Sequence, residues 1–387
     1  MLVTVAVENY RSLRQLVVPL HQLNVVTGAN GSGKSNLYRA LRLMADSARN
    51  GAVAALAREG GLSSTMWAGP AVIGKSVRQG RHQVQGTVRT DSVSLKLGFA
   101  GSDFGYAMDL GLPQASISKF KLDPEVKVEA LWVGPVWRSA TAIAERGGPV
   151  ARLRDGDDNW HLITDALRPF DSMLSELADP VRAPGLIEMR ERIRNWRFYD
   201  HLRTDADAPA RQARIGTRTT VLGHDGADLA AALETIREIG DEAALDEAID
   251  RAFEGSRIDV ASDNGRFELA LKQPGMLRPL GSAELSDGTL RYLLWSAALL
   301  SPRPPQLLVL NEPETSLHPE LLPALASLIA TAAQRSQIIV VTHSEPLVAG
   351  LQQAAEVHTI RLTKELGETR IVGQGMLDQP SWHWPPR

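Results

Sequence analysis

The chain of 387 residues has no cysteine. That removes a disulfide framework, a thiolate zinc site and a cysteine nucleophile at once. Aromatic residues are only 5% of the chain. No apolar run approaches the roughly 18 residues that a membrane-spanning helix needs. The longest candidate, Leu321 to Ala333, is broken by Pro323, Ser327 and Thr331. The chain opens directly on the alternating Leu2–Val7 segment, with no basic stretch followed by an apolar one, so no secretory leader and a cytoplasmic location are expected. Excess charge of one sign is also missing. Forty-two Lys and Arg against 45 Asp and Glu leave a net charge of −3, which excludes a histone-like protein but leaves room for a local basic face. What remains is ordinary globular composition: 43% hydrophobic and 22% charged.

Periodicity divides the chain. Residues 2–8 and 23–27 are short, apolar and β-branched, and read as strands. A helix is expected from Lys34 to about Ser47, with Leu37, Leu41 and Met44 on one face. Strand-like runs at 82–89, 92–99, 103–110 and 126–133, separated by turn residues, suggest an antiparallel sheet. Beyond about 155 the pattern turns helical, at 160–178, 185–202, 227–238 and 241–253, around a polar stretch from Arg203 to Arg218. From 257 onward β and α segments alternate, as in a mainly parallel sheet covered by helices. The expected division is 1–155 as a first lobe, 156–255 as a helical insertion and 256–387 as a second lobe. The tail Gln379–Arg387 is rich in Pro and Trp and is expected to be irregular.

The strongest chemical signal is Gly28-Ala29-Asn30-Gly31-Ser32-Gly33-Lys34-Ser35, a full G-x-x-x-x-G-K-[ST] phosphate loop. A strand precedes it and a helix follows, as the chemistry requires. Glycines let backbone N–H groups turn toward phosphate oxygens, and the helix N-terminus adds partial positive charge. In such a loop the lysine, here Lys34, reaches the β- and γ-phosphates, and the hydroxyl of Ser35 ligates Mg²⁺.

A second set lies far along the chain. It comprises Leu285-Ser286-Asp287-Gly288, then Leu307-Leu308-Val309-Leu310-Asn311-Glu312-Pro313-Glu314, then Ser316-Leu317-His318-Pro319, then Val340-Val341-Thr342-His343. An apolar strand ending in a carboxylate is what a Mg²⁺–water site needs. Each piece alone has a plainer reading. Ser286 and Asp287 can cap a helix, Glu312 can be a surface carboxylate, and His343 can be a satisfied buried histidine. The remaining histidines lack metal-ligand spacing, so no zinc site is expected.

Taken in order, with Asn9-Tyr10-Arg11-Ser12-Leu13 ahead of the phosphate loop, these motifs resemble the ABC-type ATPases. The likeness is to the soluble SMC, RecF and OLD-type ATP-binding heads. The resemblance implies an α/β P-loop NTPase with an ABC-type mixed or parallel sheet core, an antiparallel β subdomain and a helical insertion. By resemblance, Leu285–Gly288 is the signature motif, contributing with the phosphate loop to the nucleotide site. Asn311 and Glu312 hold the Walker B end, with Glu312 as catalytic base and Asn311 reaching Mg²⁺ through water. Ser316–Pro319 is the D-loop and His343 the switch histidine. Gln114, after the β region, takes the place of the metal-contacting Q-loop glutamine. Asn311 departs from the family, which usually has Asp there. Asn keeps an oxygen acceptor but loses the charge, so a slow ATPase is expected.

The same resemblance implies ATP and Mg²⁺ as cofactors, and a head-to-tail homodimer in which one chain's signature completes the other chain's phosphate site. It leaves two outputs open. One is DNA binding, repair or genome maintenance. Residues 188–218 hold eight arginines against five acids, with Trp196, Phe198 and Tyr199 among them. The alternative for that stretch is an amphipathic helix whose aromatics face the core. The other output is an ATP-gated switch over a separately encoded nuclease or toxin, as in anti-phage systems. The stretch after His343 is too short for the TOPRIM nuclease that OLD proteins carry. A transporter subunit fits less well, since the signature reads Ser-Asp-Gly-Thr.

Overall fold

β-Branched residues in alternation build the first strand. Val3, Val5 and Val7 alternate with Thr4, Ala6 and Glu8 in β1 (Leu2–Tyr10), whose centre is buried on both faces. In the computed structural model, residues 1–69, 92–114, 117–177, 179–200, 202–375 and 378–387 are described. The strand expected at 82–89 lies outside them. The chain divides into two compact units, one of residues 1–21, 27–195 and 360–387, the other of 22–26 and 196–359.

The first unit is built on an eight-stranded sheet in the order β2-β1-β4-β5-β6-β7-β8-β9. Its strands are β2 (Leu13–Pro19), β4 (Leu95–Gly101), β5 (Phe104–Gly111), β6 (Glu125–Val133), β7 (Ala142–Gly147), β8 (Val150–Arg154) and β9 (Trp160–Thr164). Every neighbouring pair is antiparallel, as the turn-punctuated pattern led one to expect. Inside it lies a fully buried ion pair, Arg146 to Glu129 at 3.1 Å. Its remaining valences are filled: Arg146 donates to the carbonyls of Gly148, Arg168 and Asp171, and Glu129 accepts from Met173 N, Ser172 Oγ and Tyr106 Oη. The tail is irregular but docked. Trp382 stands edge-on to Trp132 at 5.7 Å, and Arg387 pairs with Asp109 at 2.9 Å. The hairpin β17–β18 (His358–Glu365 and Glu368–Ile371) also carries its residues from 360 onward in this unit.

The second unit holds a parallel sheet in the order β10-β15-β16-β3: Arg197–Tyr199, Leu307–Asn311, Gln337–Val341, and the Leu23–Val26 part of β3 (Leu23–Gly28). β15 and β16 are almost continuous apolar runs, the pattern of strands covered on both faces. Helices Asp287–Leu299, Leu322–Ala332 and Glu345–Ala354 supply Leu293, Trp295, Leu325, Ile329 and Leu351 to one core. Helices Leu229–Ile239 and Glu242–Ala252 join it, with an antiparallel sheet formed by β11 (Arg214–Ile215), β12 (Arg257–Asp263), β13 (Arg266–Lys272) and β14 (Leu280–Gly281). Among the described residues, no helix is long and apolar enough to cross a membrane.

Several expectations need correction. The helix read over 160–178 is strand β9 followed by the short helix Met173–Glu176. The helix read over 185–202 ends at Arg194, and the chain continues as β10. The observed units also do not follow the boundaries drawn at 155 and 255. β9 completes the first unit's sheet beyond 155, and the chain changes unit after Asn195, where the parallel strand begins.

Candidate nucleotide site

The phosphate loop leaves the carboxyl end of β3 and enters the helix Lys34–Asn50. Two of its glycines are required by geometry. Gly28 has φ 148°, and a Cβ there would strike the Leu362 carbonyl oxygen. Gly33 has φ 108°, and a Cβ there would strike the Thr369 side chain. Both φ values are ones that L side chains rarely adopt. The helix has no side-chain cap at Gly33 and no acid in its first turn, which leaves its N-terminal dipole uncompensated.

Lys34 is buried, and its Nζ donates to the carbonyls of Gly28 (2.6 Å) and Ala29 (3.2 Å). The ammonium thus ties the two ends of the loop together. Ser35 is exposed in the first helical turn, and the Ser32 hydroxyl is buried with no partner. An uncapped helix end, a lysine over the loop and an unpaired hydroxyl suit the phosphates of a nucleotide. A support that the motif did not reveal lies beneath. Thr369 Oγ1 donates to the Ser32 carbonyl (2.8 Å) and contacts Ser12 Oγ (2.7 Å), which accepts from Asn36 Nδ2 (2.7 Å). Thr369 sits on β18, and no sequence signal pointed to it.

In the second unit the carboxyl ends of three strands lie side by side, with Asn311 opposite Val341 and Val341 opposite Val26. The chain turns sharply after β15. Glu312 has φ 49° and Ser316 φ 65°, both in the left-handed region. The turn is pinned by Glu312 N donating to the Val341 carbonyl (2.8 Å) and by Trp295 Nε1 donating to the Pro313 carbonyl (3.0 Å). A non-glycine residue held in such a backbone state costs of order 1 kcal/mol or more and is commonest where function demands it. The result brings Glu312 and His343 together: His343 Nδ1 is 3.6 Å from Glu312 Oε1 and 3.5 Å from Glu314 Oε1. The His343 and Glu312 side chains are about half exposed.

The signature turn lies in this unit too. Ser286 caps the Asp287–Leu299 helix, accepting from Thr289 N (3.1 Å), and Leu285 is buried. Gly288 lies against the D-loop, where a Cβ would come within 3.2 Å of the Ser316 carbonyl. The turn is held by Arg211, which donates to the carbonyls of Ser282 (3.0 Å), Ala283 (3.3 Å) and Leu285 (2.7 Å) and pairs with Asp287 at 2.8 Å.

Arg211 belongs to the basic and aromatic stretch, and the structure decides the two readings of that stretch. Trp196, Phe198 and Tyr199 are buried, Tyr199 against Trp295 in edge-on contact. Arg192, Arg203 and Arg218 are paired with Asp103, Asp205 and Glu238. The aromatics are core and most of the charge is internally matched. Gln114 is exposed and lines a cleft of about 1060 Å³ with Glu125, Lys127, Glu145 and Arg387, among which there is no phosphate-loop residue.

Residues 23–349 match the family model described as AAA domain, putative AbiEii toxin, Type IV TA system. The chain belongs to this family. No curated protein matches it. Among solved structures it is similar to an SMC head bound to the C-terminal winged-helix domain of ScpA, at 13% identity and TM-score 0.51, covering 97% of this chain and 98% of the other. It is also similar to an SMC head with an extended coiled coil bound to the C-terminal domain of ScpA from Pyrococcus furiosus, at 13% identity and TM-score 0.50, covering 96% and 95%. At that identity the likeness concerns the fold. The chain is thus a P-loop ATPase-type domain with an SMC-head-like α/β fold, of a family that generally binds ATP with Mg²⁺.

Proposed function

We propose that this protein binds and hydrolyses ATP, with Glu312 orienting the attacking water and His343 sensing the γ-phosphate. The carrying observation is the convergence of Glu312 and His343 within 3.6 Å at the ends of β15 and β16, of which β16 pairs with the strand that feeds the phosphate loop. In this reading Lys34 and the backbone of Asn30–Gly33 hold the phosphates, and Mg²⁺ is held by Ser35 and, through water, by Asn311. Because Asn311 brings no charge to that shell, turnover is slow. The signature Leu285–Gly288 serves the phosphate loop of a second copy, so ATP joins two chains head to tail and hydrolysis releases them. The test is turnover in wild type, Lys34→Ala, Glu312→Gln and Asn311→Asp. Lys34→Ala and Glu312→Gln abolish it and Asn311→Asp raises it. An unchanged rate in Glu312→Gln removes the base assignment.

For the output we favour the switch over a separately encoded effector above DNA work. The basic and aromatic stretch that might have met nucleic acid is consumed internally, with its aromatics buried. The matched family carries the description of a putative toxin in a type IV toxin–antitoxin system, which favours a role in a toxin system over DNA work. Light scattering of Glu312→Gln with and without ATP reads the dimer. An ATP-dependent pull-down reads the effector. A tight, steeply salt-dependent DNA complex would restore the DNA reading.

A further inference from the structure

The motif Asn311-Glu312-Pro313-Glu314 holds two carboxylates, of which only the first has a role so far. The second is the more unusual physically. Its side chain is 9% exposed, and its Oε2 is buried without a partner. Its other oxygen is crowded: Oε1 accepts from Thr342 Oγ1, from His343 N at 3.3 Å, and faces His343 Nδ1 at 3.5 Å. Removing a carboxylate from water with one oxygen unpaired is costly, and an apolar side chain would avoid that cost. Among the described ion pairs, His343 is the one base that Glu314 meets. The cost therefore has one evident beneficiary.

We propose that Glu314 is a positioning residue for the reaction, holding the His343 ring in the orientation that its γ-phosphate role requires. The inference rests on the reading of His343 given above. Two grips act on the histidine. Oε1 anchors the segment leading into it, accepting from the Thr342 side-chain hydroxyl and from the His343 backbone N–H, and so fixes where the strand end releases the ring. The carboxylate beside Nδ1 matches an N–H at that atom, and with Nδ1 so engaged the ring meets the phosphate through Nε2, which reaches a phosphate oxygen only as an N–H donor. Glu312 Oε1 lies 3.6 Å from the same nitrogen. Glu314 thus also keeps the base and the sensor in register, because the turn Glu312–Glu314 is rigid and pinned at Pro313.

Glu314→Gln isolates the charge, since its amide oxygen can still accept from Thr342 and His343 N. The expected result is a fall in kcat of about 10- to 100-fold, the range of partners that orient a functional histidine, with KM and nucleotide affinity changed less than about twofold. A double-mutant cycle separates positioning from mere packing. In the His343→Ala background, Glu314→Gln changes kcat by less than about threefold. Equal losses in both backgrounds, or a kcat within about twofold of wild type in Glu314→Gln alone, overturn the proposal. Glu314→Asp keeps the charge but withdraws it by one methylene. It gives an intermediate kcat with an unchanged urea midpoint, and serves if the glutamine variant cannot be purified. Should Glu312→Gln and His343→Ala leave turnover intact, the underlying function has failed instead, and the two failures are thereby distinct.

Discussion

Replacing Arg211 by Met tests the claim that a basic residue of the polar stretch is a structural clamp on the signature turn. The guanidinium is 8% exposed and donates to the carbonyls of Ser282, Ala283 and Leu285 on the turn, and to those of Thr204 and Asp205. Methionine fills similar volume and leaves those acceptors unpaired. At about 1 kcal/mol for each of the turn's carbonyls losing a charged donor with partial solvent access, the loss is at least about 3 kcal/mol. The Asp287 pair adds little, because its carboxylate side is 60% exposed. Urea unfolding followed by circular dichroism reads the change as a lower midpoint at constant slope. A second readout is functional: ATP-dependent dimerisation of Glu312→Gln should weaken when Arg211→Met is added, since Leu285 and Asp287 are no longer held. Arg211→Lys should recover only part of the stability, because one ammonium cannot span the same set. A stability within about 0.5 kcal/mol of wild type would refute the clamp, placing Arg211 among unremarkable surface residues.

Three further outcomes follow from other parts of the molecule. Thr369→Val removes the donor to the Ser32 carbonyl and the contact with Ser12, and is expected to cost about 2 kcal/mol and weaken nucleotide binding, while Thr369→Ser keeps both; fluorescent-nucleotide titration checks this. Arg146→Met leaves the Glu129 carboxylate buried and unpaired, and is expected to cost about 3–5 kcal/mol by urea unfolding, whereas a change below about 1 kcal/mol would mean that the pair is not structural. Glu284 accepts from Arg278 and from Gly281 N, and these bonds lower its pKa to about 2. Its contribution to stability is present above the ordinary carboxylate value and is lost as pH falls through about 2. Arg278→Ala should move the NMR titration of Glu284 upward, and an unmoved titration would contradict the stated cause.

Much of the site was legible because its chemistry is local in the chain. Gly28–Ser35 form their loop from consecutive residues, so spacing alone announces it. β15 and β16 were legible for a similar reason: strands buried on both faces read as unbroken apolar runs. β9 was not, since an edge strand with two of its five residues exposed has no apolar face to display. β10 was not, since Met189, Ile193 and Trp196 carry a helical period straight into it, and only the pairing with β15 imposes the extended form.

Read residue by residue, the chain already shows a phosphate loop, a signature-like turn, and an apolar strand ending at Asn311 just ahead of Glu312. These are properties of short segments, whose backbone preferences and donor sets hold wherever the fold puts them. The tertiary structure alone decided what stands behind them: Thr369 under the Ser32 carbonyl, Arg211 on the signature turn, and Glu314 on His343. It also decided that Trp196, Phe198 and Tyr199 are buried in the protein's own core. Each of these contacts joins residues that strand pairing and core packing bring together, and a side chain's burial and partners follow from that long-range assembly rather than from its neighbours in sequence.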